Sequence, residues 1–166
     1  MASGNTHDFL NLATLPIFLY GVPHEYFLYF GSAYVITTIL LSPDIDLHHS
    51  KPSKRWKILK WFWHPYRMFF KHRGMSHFPI IGTLSRLLYA LVLVIFLYFV
   101  IIGIMSFAHY SHAFIKSSDT ILHNIKSRIT EEDIFWFVMG AIVSDLMHIF
   151  WDMVFSFLKK IKKLVK

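Results

Sequence analysis

Three ionisable residues inside an otherwise apolar stretch are the first place to look for chemistry in this 166-residue chain: Asp145, His148 and Asp152. Their i, i+3, i+7 spacing puts them on one face of a helix, with Ala141 and Ser156 on the same stripe. An ionisable group within a membrane-type helix is costly unless it is paired, hydrated or bound to a metal. Helix–helix hydrogen bonding is one reading of the stripe. A metal site or polar catalytic cavity is the favoured one.

Similar residues recur elsewhere. Ser42-Pro43-Asp44-Ile45-Asp46 follows an apolar stretch, and its D-x-D spacing can aim two carboxylates at one centre. His72-Arg73-Gly74-Met75-Ser76-His77 places two imidazoles five residues apart around a glycine that permits a tight bend. His7-Asp8 precedes the first apolar stretch. Cysteine is absent, so any metal must be held by nitrogen and oxygen. Mixed imidazole and carboxylate ligands suit Zn, with Mn or Fe as alternatives, and the number of donors would support one or two divalent ions. Such a metal makes bound water nucleophilic at neutral pH, and a carboxylate off the metal serves as general base. The expected metal set is His7, Asp8, Asp44, Asp46, His72, His77, His148 and Asp152. Asp46 is also the expected base, and Arg73 the forked cation that steadies an anionic group. His48 and His49 are read as surface residues of a basic loop, with a place in the site left open.

The elements that must position these residues are apolar. Hydrophobic residues make up 55% of the chain and charged residues only 16%, against about 25% in soluble domains. Leu87–Ala108 is an uncharged run of 22 residues, and Ile134–Leu158 is a second apolar run of 25, interrupted by Asp145, His148 and Asp152. A spanning helix needs about 20. Tyr26–Leu41 is shorter, and Phe9–Tyr20, with Pro16 inside, fits a half-embedded or tilted helix. The expected fold is therefore all-α: a single membrane-embedded domain over residues 1–166, a bundle of about four apolar helices plus an amphipathic interfacial segment.

That segment is Lys51–Arg73, where eight Lys or Arg alternate with Trp and Phe. Trp favours the headgroup level and basic residues the cytoplasmic leaflet. A basic tail, 159–166, closes the chain. Anionic lipid headgroups are the expected partner of both, and nucleic acid is not expected. The positive-inside rule then makes residues 51–86 and the C-terminus cytoplasmic in an inner-membrane, multi-pass chain. Residues 109–133 form the outer connection, with His109, His112 and His123 on its surface. His24 and His64 belong to the interface. With the first two stretches as a hairpin, all four His/Asp groups fall on the cytoplasmic side.

These segments carry a resemblance. S-G-N-T-H-D, S-P-D-I-D, W-K-I-L-K-W-F-W-H-P-Y-R, H-R-G-M-S-H-F-P-I-I-G-T-L-S-R-L-L-Y and H-I-F-W-D resemble an uncharacterised bacterial family of metal-binding membrane proteins, from Ser3 to about Phe157. The D-x-D, H-R-G-x-[ST]-H and H-x-x-x-D pieces are more distantly similar to the YdjM-like family of predicted membrane-bound metal-dependent hydrolases. The resemblance implies roles for His7, Asp8, Asp44, Asp46, His72, Arg73, His77, His148 and Asp152. The expected function is metal-dependent hydrolysis of a phosphoester, such as a lipid headgroup, at the cytoplasmic face. The alternatives are a non-catalytic metal-binding protein of transport, sensing or storage, and a polar stripe that only holds helices together.

Overall fold

A computed structural model of the chain describes residues 4–70 and 78–164. Helices are the regular elements among them: α1 (Gly4–Leu19), α2 (Phe27–Ile39), α3 (Lys51–Arg55), α4 (His64–Phe69), α5 (Pro79–Phe107), α6 (Ser111–Lys126) and α7 (Glu131–Leu164). Short 3-10 turns flank α2 at His24–Tyr26 and Pro43–Asp46, and another links α3 to α4 at Lys57–Trp63. Three stretches are long and apolar enough to cross a membrane: His24–Asp46, Pro79–Phe107 and Glu131–Leu164. The 16 residues of α1 rise about 24 Å, short of a hydrocarbon core of roughly 30 Å.

The centre of the molecule is the α2–α7 pair. Tyr26 stacks on Trp136, Phe30 lies against Gly140, and Thr38 hydrogen-bonds Ser144 at 2.9 Å. Residue numbers rise together along both helices, so the two run parallel. Small residues permit the close approach: Ala33 and Ala141 are buried, and a Cβ on Gly140 would lie 2.3 Å from the Phe30 carbonyl oxygen. Along this pair α1 runs in the opposite direction. Asn11 donates to the Ser144 carbonyl at 3.1 Å, and Thr14 meets the Tyr34 hydroxyl at 2.9 Å. The N-terminus of α1, the C-terminus of α2 and the second half of α7 therefore share one end of the bundle.

Near its start, α5 joins the bundle through a buried polar contact. Arg86 and Thr83 both donate to Asp145 Oδ2 on α7, and Arg86 and Asp145 are each 1% exposed. Beyond Leu88 most of its apolar side chains are exposed, as a lipid-facing helix requires. The connection between α5 and α7, expected as an outer loop, contains a helix: α6 folds back on α5, with Tyr98 packed on Phe114 and hydrogen-bonded to Ser118 at 3.0 Å. Its sequence keeps apolar residues on one face, which charge counting across 109–133 overlooks. His109, His112 and His123 are exposed.

Within the basic, aromatic segment, residues 51–69 form α3, the 3-10 turn and α4. Trp63 and Tyr66 are buried with Leu41 and Ile45, while Ile58, Trp61, Met68 and Phe69 face outward. Not all of its cations are available to headgroups. Arg67 donates to the Ile45 carbonyl at 3.0 Å and to Ser53 Oγ at 2.7 Å. Arg55 and Trp56 donate to the carbonyls of Ile39 and Leu40, at 2.9 and 3.0 Å, which closes the C-terminus of α2. The tail is helical as far as it is described, since α7 continues to Leu164 and carries Lys159, Lys160, Lys162 and Lys163 in its last turns.

Candidate metal centre

The shared end of the bundle holds a cavity of about 260 Å³ lined by residues from α1, the Pro43–Asp46 turn, the loop into α3, and α7. Asp44, His148 and Asp152 each offer one donor atom there, all within 4.8 Å of one another. His148 Nε2 lies 3.6 Å from Asp44 Oδ2 and 3.7 Å from Asp152 Oδ2. His7 Nε2 lies 3.4 Å from Asp152 Oδ1. The His7 and His148 rings are 5.1 Å apart, and Phe155 covers the edge of the His7 ring.

These separations exceed a good N–H···O hydrogen bond, which falls at about 2.7–3.2 Å. They approach the edge of a tetrahedron whose metal–ligand bonds are about 2.0–2.1 Å, roughly 3.4 Å. His148 Nε2 and His7 Nδ1 are buried without a hydrogen-bond partner. Two carboxylates beside a partnerless imidazole nitrogen make a donor set that fits a divalent cation. Burial lowers the proton affinity of His7, His148 adds to that effect, and Asp152, Asp44 and Asp8 oppose it. The net direction favours neutral imidazole, the form that can ligate or accept a proton.

Several expected residues are placed differently. Asp8 lines the cavity, but its Oδ2 accepts a hydrogen bond from Arg55. Since Arg55 also holds the Ile39 carbonyl, this pair ties the start of α1 to the end of α2. Among the described residues, the two carboxylates of the D-x-D motif do not share one centre. Pro43–Asp46 is a 3-10 turn with about three residues per turn, so positions i and i+2 point in divergent directions. Asp44 faces the cavity, whereas Asp46 is buried and acts electrostatically on Arg67 and Tyr66. Among the described residues, Asp46 does not line the cavity. His72, Arg73 and His77 lie outside the described residues.

The α7 stripe divides in two. Asp145 turns to Arg86 and serves helix packing, while His148 and Asp152, one and two turns on, reach the cavity. His49 and Lys51 line the cavity too, although neither was among the expected ligands. Their nearness to the S-P-D-I-D motif was the available signal. His48 points elsewhere, against Trp61 at 5.6 Å.

An all-helical chain with three segments long enough to span a bilayer, and a buried His/Asp cluster at one end of its bundle, has the make-up of a membrane-type metal-binding protein. Residues 2–162 match the family described as "Uncharacterized metal-binding protein (DUF2227)", and the chain belongs to that family. It is similar to an uncharacterized protein of Aquifex aeolicus (strain VF5), with 43% identity over 139 residues that cover 84% of this chain and 98% of the relative. No solved structure matches the chain.

Proposed function

We propose that the protein is a membrane-bound, divalent-metal-dependent hydrolase of phosphoesters, with its site at the cytoplasmic face and Zn as the favoured metal. One observation carries this reading: among the described residues, Asp44, His148 and Asp152 form a three-donor cluster inside a cavity that also exposes His49 and Lys51. Three protein ligands are the hallmark of catalytic zinc, which keeps a position open, whereas structural zinc takes four. A divalent cation held there would make a bound water nucleophilic and polarise a phosphoryl oxygen.

The remaining roles belong to the chain's own residues. His7, neutral and beside the cluster, takes the proton from the attacking water. Lys51 and His49 attract the anionic phosphoester at the mouth. The Asp8–Arg55 pair holds α1 in place and so keeps His7 at the site.

A second reading rests on His7. As a fourth ligand it would close the coordination shell, and the site would store or sense metal instead of turning over substrate. His7→Ala separates the two. Under the hydrolase reading the variant retains its metal but loses about 100-fold or more in hydrolysis of a bis-aryl phosphodiester, the size of a general-base contribution. Under the storage reading the wild type is inactive and the variant loses metal.

A further inference from the structure

Beside the metal cavity, on the other side of Arg55, lies a larger and almost wholly apolar groove of about 580 Å³. Leu40, Trp56, Ile58 and Leu59 form its walls, and Arg55 and Lys57 supply its cations. A narrower cleft of about 90 Å³ shares Trp56 and Leu59 with it and continues along α5 from Ala90 to Leu97. Those seven positions advance about 10 Å along a helix long enough to cross the bilayer. The groove and cleft make one apolar path that starts at two cations and runs along a spanning helix.

Lys57 adds an independent observation. Its φ of 48° puts a non-glycine residue in the left-handed region, directly after α3. Glycine is the usual residue at such a position because a Cβ is disfavoured there. A lysine held in this conformation, at the groove, exchanges local stability for a charge in that place. No acidic residue lies between Asp46 and Asp119, so no acid of this segment itself opposes Lys57.

We propose that this groove is a binding site for one anionic phospholipid, with a chain laid past Trp56 and Leu59 toward Leu97 and the headgroup phosphate on Lys57, beside an Arg55 that is already held by Asp8 and the Ile39 carbonyl. The proposal rests on the membrane placement and deepens the phosphoester reading. Arg55 stands between groove and metal cavity, with one arm on Asp8, so a lipid seated here brings its phosphate to the edge of the hydrolytic site. Binding itself requires no metal. The cavity volume lies within the range of small-molecule sites, about 300–1,000 Å³.

The test uses the full chain in neutral detergent, stripped with EDTA, and native mass spectrometry to count retained lipid. Phosphatidylglycerol, phosphatidylcholine and glycerol 3-phosphate are added separately. We expect one phosphatidylglycerol to be retained in preference to phosphatidylcholine, and glycerol 3-phosphate not to displace it. Lys57→Gly should retain phosphatidylglycerol about fivefold less well, as expected for one lost cation near a membrane surface. It should melt no lower than wild type, because glycine suits its backbone. Leu59→Trp, which fills the groove, should abolish retention while leaving metal content unchanged. Equal retention of both lipids would overturn the charged site, and so would displacement by glycerol 3-phosphate. Unchanged retention in Lys57→Gly and Leu59→Trp would overturn the groove. Failure of the hydrolase reading appears separately, as missing metal or missing turnover in a protein that still holds lipid.

Discussion

At the residue scale, the cluster asks the most of His148. It lies within 3.7 Å of both Asp44 and Asp152 carboxylate oxygens, and its buried Nε2 has no hydrogen-bond partner. Such an atom is costly without a ligand, since an unsatisfied buried polar group costs roughly 1–3 kcal/mol. Asp8 has another task. Its bond to Arg55 makes it a positioning residue, and losing such an outer contact lowers metal affinity about 10–100-fold. Asp8→Asn should therefore weaken Zn retention in competition with a chelator without abolishing it. Complete loss would instead make Asp8 a direct ligand. The grouping of His7, Asp44, His148 and Asp152 was legible from charge topology alone, because the positive-inside rule sends all four to one end. The separation of Asp46 from Asp44 was not legible, since the D-x-D spacing does not say that the backbone there is a 3-10 turn, which aims the two side chains apart.

At the element scale, two contacts fix how α7 meets its neighbours. Gly140 is the closest approach to α2, and a Cβ there would collide with backbone rather than with a flexible side chain. Gly140→Ala should destabilise the detergent-solubilised protein by about 1–3 kcal/mol, the usual cost of overpacking, read as a lower melting temperature. The Arg86–Asp145 pair fixes the rotation of α7 against α5, one turn before His148. Removing only the carboxylate, as in Asp145→Leu, should cost about 3–5 kcal/mol by breaking a buried ion pair. An Arg86→Met, Asp145→Leu double variant should recover most of that loss. If the double variant melts lower than Asp145→Leu alone, the pair is not what joins these helices. From the sequence, the i, i+3, i+7 stripe gave the face of α7 but not its division between packing and site. Periodicity places residues on a face without saying which neighbour each position along it will meet. The α6 helix was missed because a polar, weakly charged segment between spans carries no hydropathy signal, although one face can still cover Tyr98.

At the scale of the whole molecule, parallel α2 and α7 and oppositely directed α1 bring every described part of the candidate site to one end. The exposed apolar surface of α5 has the composition of a lipid contact, and the lysines ending α7 lie at the same end as the site. Cationic residues there also suit the negative end of the helix dipole. The chain has no cysteine, so single cysteines can report sidedness without background. In intact cells, a membrane-impermeant maleimide should label Ser117→Cys and Asn124→Cys of α6 and spare Lys162→Cys until the membrane is opened. The reverse pattern would invert the orientation and place the site on the outer face.

The central claim is that Asp44, His148 and Asp152 hold a divalent metal. Elemental analysis of the purified full chain, beside a His148→Ala variant whose helicity and melting are checked, tests it most directly. One or two equivalents of Zn, Mn or Fe are expected in the wild type, with at least one equivalent lost in the folded variant. A wild type that stays metal-free after divalent ions are restored, or a folded variant with undiminished metal, would contradict it.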